Sequence, residues 1–408
     1  MTRRVVVVGS SVGGLRTAQA LRQEGWSGEV VLVGAETELP YDKPPLSKEF
    51  LTGRAGRDDL LLLDRAQAAA DGIELRLGCP ATALDVEGRR LRLADGSALA
   101  YGALVVATGA RARTAPFRPE QVHVVRTLAD TERLRSALAG GGPVVVLGGA
   151  LIGGEVASAC RALGLDVTLV DPERVPMVRV VGAEVGALLV DLHERAGVVC
   201  RLGVGVAEVA GQQGDLRVRL TDGGELRAAT VVAGIGAEPE DGWLAGSGVL
   251  LDDGVVCDAS GRTSAPDVWA VGDVARWQVP GQQRAVRVEH WTSAVEQAEC
   301  VAHGIAAPHD LRVHEPSAYV WTDQHGWRVQ VLGRPEEAAE RVVVGDPGAG
   351  RFAEVSSRDG HVVTGAVVVN WPRALSTLRR VRLGSAPLGP TTDALRALSV
   401  PRAGPRGA

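Results

Sequence analysis

Residues 5–36 read VVVVGSSVGGLRTAQALRQEGWSGEVVLVGAE: four valines, a glycine-rich turn, an amphipathic run and a second apolar stretch that ends on Glu36. A strand that meets G-x-x-x-x-G and then a helix is a nucleotide-binding βαβ unit. Its first glycine permits the tight turn, its last lets the helix close on the strand, and the helix N-terminus offers unpaired N–H groups to a pyrophosphate. Gly9 and Gly14 take those two positions, and Ser11 stands where the middle glycine is usual, bringing a hydroxyl. Glu36 ends the second strand, where a carboxylate accepts from a ribose hydroxyl. The grammar returns in residues 144–171, VVVLGGALIGGEVASACRALGLDVTLVD, with Gly148, Ala150 and Gly153 in the glycine positions and Asp171 in the acidic one. A lone fingerprint is weak. Strand, turn, helix and acid in that order, twice, predict an α/β chain with two dinucleotide-binding domains. Asp171 also repels a 2′-phosphate, which favours NADH over NADPH.

A chain of 408 residues has room for two or three cores, and 45% apolar residues place it among globular proteins. The formal net charge of -5 gives no reason to expect nucleic acid or an anionic membrane as the partner. The first strand starts by Val5, leaving no room for a signal peptide, and no apolar run approaches membrane-spanning length. A cytoplasmic protein is expected. Cys79, Cys160, Cys200, Cys257 and Cys300 are scattered singly, without C-x-x-C or ligand-like spacing. Disulfide exchange needs a paired dithiol, so that class is disfavoured, and no metal site is expected.

Outward from the two units, LPYDKPPLSKEFL (residues 39–51) is stiffened by Pro40, Pro44 and Pro45 and is expected to be extended. Its Lys43 and Lys48 are either solvated loop lysines or cations offered to a carboxylate or an electron-rich ring, where they favour developing negative charge. Residues 75–99 alternate in short runs broken at Glu87-Gly88 and Asp95-Gly96, the pattern of inserted antiparallel strands. A buried strand at 104–107 stops at Thr108-Gly109, a small-residue turn able to lie over a cofactor. Glu155 is expected in the first turn of the second unit's helix, either exposed or facing a nicotinamide or a cation. Another buried strand, 268–271, stops at Gly272-Asp273. A carboxylate there either accepts a flavin's ribityl hydroxyl or is an ordinary surface cap.

Nine pieces of sequence resemble one family in the order that family presents them: VVVGSSVGG, YDKPPLSK, ATGAR, VVLGGALIGGE, VVAGIGAEP, TSAPDVWAVGD, EHWTSAVEQA, YVWTDQHG and VVTGAVVVNWPRAL. The chain is similar to the FAD-dependent NADH:ferredoxin reductases of the putidaredoxin reductase and rubredoxin reductase type, which serve cytochrome P450 and Rieske oxygenase systems. The resemblance covers residues 4 to about 383. It implies two Rossmann-like dinucleotide-binding domains (glutathione-reductase-like) plus a C-terminal α+β domain. FAD would be bound by residues 1–111 and 238–315, NADH by the inserted 112–237, and the C-terminal domain would occupy 316–383. Glycine and proline are frequent in 384–408, which is expected to be a flexible tail with a short helix around 392–398.

The resemblance also implies a site. Lys48 would lie near flavin N5, and Glu155 would meet the nicotinamide carboxamide and pair with that lysine. Glu36 would bind the adenosine ribose and Asp273 the ribityl chain, with His290, Trp291 and Trp321 bordering the flavin. Lys43, Pro45, Thr108, Gly109, Arg111, Gly236 and Gly272 complete the cofactor contacts together with the fingerprint positions. Simple core packing competes as the reading of Trp321. Three residues depart from the family pattern: Lys43 stands where arginine is usual, Ala150 where glycine is, and Glu240 where asparagine is common. The implied activity moves electrons from NADH to FAD and then singly to a small acidic [2Fe-2S] ferredoxin, and through it to a P450 or Rieske oxygenase. The protein would be a monomer or weak dimer. Arg373, Arg379, Arg380 and Arg382 form either part of a docking face or a solvated helix surface. Two other readings compete. An NADH oxidase or peroxidase-like flavoenzyme usually has a redox cysteine near the flavin, and the proline-rich segment offers Ser47. A non-catalytic, redox-responsive FAD-binding protein is the other.

Overall fold

The four valines at positions 5–8 are buried on every side, as an inner strand of a parallel sheet requires. A computed structural model describes residues 3–399, apart from 115, 119, 281 and 317. The chain divides into two units, one formed by residues 3–46, 53–113 and 236–316, the other by 47–52, 114–235 and 318–399.

In the first unit five parallel strands lie in the order Ile73–Arg76, Glu29–Val33, Arg4–Val8, Ala103–Val106 and Val268–Ala270. The strand that comes first in the chain therefore sits between the second and the fourth. Chain winding reverses at that point, and the reversal opens a crevice beyond the carboxyl ends of the two strands. Helix Val12–Gln23 buries its Gly13, Gly14, Leu15, Ala18 and Leu21 and packs against helix Trp291–Ala306. The alternating region folds as expected into antiparallel strands Ala81–Asp85, Arg90–Leu93 and Ala98–Ala100.

The second unit repeats the arrangement with four parallel strands, Val199–Leu202, Val167–Asp171, Val144–Leu147 and Thr230–Ala233. An antiparallel sheet of Val206–Gln212, Asp215–Leu220 and Glu225–Ala228 accompanies it. The first of those strands was not foreseen, because Val209 alone of its seven residues is buried and no alternation shows. Helix Val178–Arg195 also escapes the sequence reading, since Gly182 interrupts it with φ 81° and ψ 174°. The C-terminal part is an antiparallel sheet ordered Tyr319–Gln324, Trp327–Gly333, Val363–Val369, Arg351–Ser357 and Glu340–Asp346. Its helices are Pro372–Leu378 and Leu388–Ser399. The architecture is thus two Rossmann-like domains and a C-terminal α+β domain. Residues 47–52, assigned above to the first FAD segment, group with the second unit, as do both the NADH-binding and C-terminal stretches.

Two expectations are corrected. Pro44–Ser47 is a 3₁₀ turn and not extended, because the fixed φ of proline suits either backbone. The short helix expected around 392–398 is present but longer, Leu388–Ser399, and the stretch from Leu388 is packed and not a flexible tail, with Leu388 and Leu395 in the core of the C-terminal sheet. Its Gly389 and Pro390 lie in the first turn, where a missing N–H costs nothing, so composition alone misleads. Residues 400–408 lie outside the described residues. Among the described residues no helix is long and apolar enough to cross a membrane. Leu395→Ala should lower the unfolding free energy by about 2–5 kcal/mol, as for other large core truncations, measured by denaturant unfolding.

Candidate functional site

The crevice of the first unit is shaped by backbone that tolerates no side chain. Gly9 has φ +119°, and a Cβ on it would stand 2.0 Å from the carbonyl oxygen of Ala107, which follows the neighbouring strand. A Cβ on Gly14 would stand 1.8 Å from the carbonyl oxygen of Gly9. Ser11 is the N-cap of helix Val12–Gln23, its side chain makes no capping hydrogen bond, and the first turn holds no acidic residue. That helix end suits an anion.

The flanking side chains form a polar rim. Glu36 accepts from the Tyr41 hydroxyl at 2.5 Å and from Lys43 Nζ at 3.1 Å. Lys43 thus meets the acid of the first fingerprint and also lies 4.8 Å from the centre of the Tyr41 ring. Pro45 lies in the following 3₁₀ turn. Thr108 Oγ1 donates to the Glu240 carbonyl at 2.6 Å, and Gly109 turns with φ +72°. Arg111 is half-exposed and forks to Glu238 at 2.8 Å and Glu240 at 3.3 Å, so the glutamate that replaces the family's asparagine serves that arginine. Gly236 has φ +99° and its carbonyl accepts from Arg113.

At the other strand end the Gly272 N–H donates to the buried Oε1 of Gln297 at 2.7 Å, a partner the sequence did not announce. Asp273 follows in a 3₁₀ turn. His290 is the N-cap of helix Trp291–Ala306, and Trp291 Nε1 donates to Asp42 at 2.9 Å. Burial pushes the His290 imidazole below its ordinary pKa, against the pull of the Asp273 carboxylate. Among the described residues its Nδ1 and the Ser293 hydroxyl, both buried, find no hydrogen-bond partner. Orphaned polar atoms at a helix start, together with a cradle that a Cβ would fill, fit a dinucleotide such as FAD.

The second unit has the same cradle. A Cβ on Gly148 would stand 2.4 Å from the Gly234 carbonyl oxygen, and one on Gly153 would stand 1.8 Å from that of Gly148. Ala150, exposed, is the N-cap of helix Leu151–Ala162. Asp171 is buried and accepts from Gly149 N at 2.6 Å and Glu173 N at 2.8 Å. Its carboxylate therefore ties the strand end to the glycine turn, and the whole fits a second dinucleotide.

Glu155 departs from its expected place. The helix begins at Leu151, so Glu155 falls in the second turn, only 3% exposed. Lys48 Nζ stands 3.1 Å from it, as the resemblance implied. Ser47 donates to it at 2.5 Å, Thr322 at 2.8 Å and Asp323 N at 3.2 Å, and Asp323 also lies 3.8 Å from Lys48. Burial raises the pKa of Glu155, while Lys48, Ser47 and Thr322 oppose the rise. Ser47, Thr322 and Asp323 were missed because they come from distant segments; their only signal was presence in two family motifs. Trp321 is half-buried and stacks on Tyr319, ring centres 5.9 Å apart at 27°, and Arg379 lies 4.5 Å from the centre of the Tyr319 ring. Arg373, Arg380 and Arg382 are exposed. Cys160 is buried, with its thiol pushed up to about 12, so it is no nucleophile.

Residues 3–298 match the family model of pyridine nucleotide-disulphide oxidoreductases, and residues 319–395 match that of the reductase C-terminal domain. The chain is 37% identical over 380 residues to the ferredoxin–NAD(+) reductase component of the anthranilate 1,2-dioxygenase system of Burkholderia cepacia, covering 92% of this chain and 93% of that one. It is 34% identical to rhodocoxin reductase of Rhodococcus erythropolis, covering 95% of this chain and 91% of that one. Among solved structures, the ferredoxin reductase for the CYP199A2 system of Rhodopseudomonas palustris superposes with a TM-score of 0.88 at 31% identity, covering 93% and 94% of the two chains. Putidaredoxin reductase in its covalent complex with putidaredoxin gives a TM-score of 0.86 at 33% identity, covering 92% of each.

Adjacent glycines provide a test of the cradle. A methyl on Gly13 meets nothing closer than 3.5 Å, whereas one on Gly14 collides at 1.8 Å. Gly13→Ala should retain bound dinucleotide and Gly14→Ala should lose it or fail to fold, read from the absorbance of the purified proteins.

Proposed function

The chain belongs to the ferredoxin–NAD(+) reductase family that serves oxygenase systems, and on that premise we propose how its own residues carry the work. It is a flavoprotein that takes electrons from NADH and passes them to a ferredoxin component of an oxygenase system. Bound FAD supplies the conversion, since it accepts electrons in pairs and releases them singly. The observation that carries the proposal is the doubled crevice: two cradles of one geometry, each at a winding reversal, in one chain.

In this reading the Gly9 and Gly14 cradle with Ser11 holds the FAD pyrophosphate, and Glu36, with Tyr41 and Lys43 against it, holds the adenosine ribose. Asp273, His290 and Trp291 serve the flavin end, as does Trp321. Gly148, Ala150, Gly153 and Asp171 receive NADH. Lys48 and Glu155 are the catalytic residues: the ammonium favours negative charge arriving on the cofactor, and the carboxylate holds that ammonium and orients the nicotinamide. Ser47 donates to Glu155, so the position that suits a redox cysteine in a peroxidase-like enzyme is committed to the ion pair. The immediate acceptor is a small acidic [2Fe-2S] ferredoxin, whose charge suits the exposed arginines of 373–382. A cytoplasmic location accompanies the use of NADH.

Anaerobic mixing with NADH should bleach the flavin, and a small [2Fe-2S] ferredoxin should then be reduced. An oxidised spectrum unchanged by NADH, or rapid peroxide turnover without ferredoxin reduction, would overturn the proposal. Lys48→Met and Glu155→Ala should each slow flavin reduction by roughly 30-fold to 1000-fold with FAD retained, the range for losing one charge contact that strengthens in the transition state. Because the two groups form one pair, the double variant should be less impaired than the product of the singles in stopped-flow measurements. Asp171→Ser should shrink the preference for NADH over NADPH in kcat/KM, since it removes a negative charge at the ribose end; an unchanged ratio would assign selectivity elsewhere.

A further inference from the structure

Behind Glu155 the second unit holds a run of buried polar groups that electron transfer does not obviously need. Gln324 is 1% exposed and its amide is pressed against helix Leu151–Ala162 at Gly154, where a Cβ would lie 2.6–2.7 Å from all three outer amide atoms. Its Nε2 donates to Thr322 Oγ1 at 3.0 Å and contacts Met177 Sδ at 3.6 Å. Its Oε1 lies 2.9 Å from His193 Nε2, on helix Val178–Arg195, and His193 Nδ1 lies 2.9 Å from His325 Nε2. His325 is itself fixed, its backbone N–H donating to Ser158 Oγ at 2.8 Å.

With the Gln324 amide nitrogen on Thr322 and Met177 and its oxygen on His193, the donors and acceptors in this run fall into one order. A hydroxyl has one proton, so Thr322, which accepts from the Gln324 amide, donates its own to Glu155 at 2.8 Å. Gln324 Oε1 is an acceptor, so His193 carries its proton on Nε2. Its Nδ1 then accepts from His325, which carries a proton on Nε2 as well. Burial holds both imidazoles below their ordinary pKa, His325 at about 4, so both are neutral near pH 7. Every step of the run, from His325 through His193, Gln324 and Thr322, donates toward the carboxylate.

We propose that Gln324 and His193, backed by His325, are positioning residues that keep Glu155 ionised beside Lys48 by fixing the direction of each hydrogen bond leading to it. The proposal rests on the catalytic role given above to Glu155. Without the amide, the Thr322 hydroxyl is free to turn away, and the buried carboxyl takes up a proton more readily. The other charges around it are already placed: Lys48 at 3.1 Å, and Asp323, held between Lys48 at 3.8 Å and Arg328 at 3.9 Å. On the histidine side Arg161 acts on His325, further disfavouring its charge. None of these is altered by changing Gln324.

The test is an infrared pH titration of the holoenzyme with oxidised flavin, in which the Glu155 band is assigned by its loss in Glu155→Gln. Gln324→Leu should raise the Glu155 midpoint by roughly one pH unit, the worth of one hydrogen bond to a charged group. Gly154→Ala, which is compatible with a helical backbone and displaces the amide, should do the same. His193→Gln keeps an N–H for Gln324 and should stay closer to the wild type than His193→Leu. NADH reduction of the flavin should then begin to fall at a higher pH in the shifted variants than in the wild type, because protonation removes the partner of Lys48. Nitrogen NMR of the imidazoles should find the proton of both histidines on Nε2. An unmoved Glu155 midpoint in folded Gln324→Leu and Gly154→Ala, or an Nδ1-protonated His193, overturns the proposal. Undiminished flavin reduction in Glu155→Gln would instead overturn the catalytic role of Glu155, and the infrared result would still decide the positioning role.

Discussion

At Gly14 and Gly153 the carbonyl oxygen of the glycine five residues earlier occupies the place of a β-carbon, 1.8 Å from where it would be. This close approach lets each helix start directly at the end of its strand, with its unpaired N–H groups facing the crevice. The crevice in turn depends on sheet order, since Gly9 meets Ala107, and Gly148 meets Gly234, only because the first strand lies beside the fourth in both units. One steric rule, applied twice, sets both nucleotide sites.

A buried ion pair is the second constraint. Lys48 and Glu155 are both nearly removed from water, where an isolated charge is costly and a pair alone seldom compensates. Three further donors on Glu155 offset much of that cost, and burial still pushes its pKa upward. The carboxylate is therefore poised: its ionisation depends on all of its partners being present. Such a group is suited to chemistry that must distinguish charge states, and it makes the surrounding hydroxyls and amide as consequential as the charges themselves.

How much could be read beforehand follows from how local each signal is. The two cradles were legible because strand, turn, helix and acid are contiguous in sequence, and Gly9, Gly14, Gly148 and Gly153 stand where the pattern put them. The pairing of Lys48 with Glu155 came from family resemblance, for nothing in their spacing announces it. Ser47 and Thr322 were invisible as partners of Glu155 because 108 and 167 residues separate them from it. The helix Leu388–Ser399 was expected only over 392–398, and its first turn was read as tail because Gly389 and Pro390 were counted as composition when their position was what mattered. Strand Val206–Gln212, with one buried side chain, left no periodic trace. Glu155 was placed in the first turn and falls in the second, where Lys48, Ser47 and Thr322, all distant in sequence, cover it.

The separation of these partners has a consequence in time. A ribosome that has just released Glu155 must still add the 167 residues to Thr322 before that carboxylate can receive its threonine. At roughly 5–20 residues per second this takes about ten to thirty seconds. Until then the nascent second unit holds a carboxylate with an incomplete set of donors, and the protonated, uncharged form is the one it can most cheaply bury. The first strand of the C-terminal sheet therefore does more than open that sheet: its arrival completes the set of donors on a carboxylate laid down much earlier in the chain.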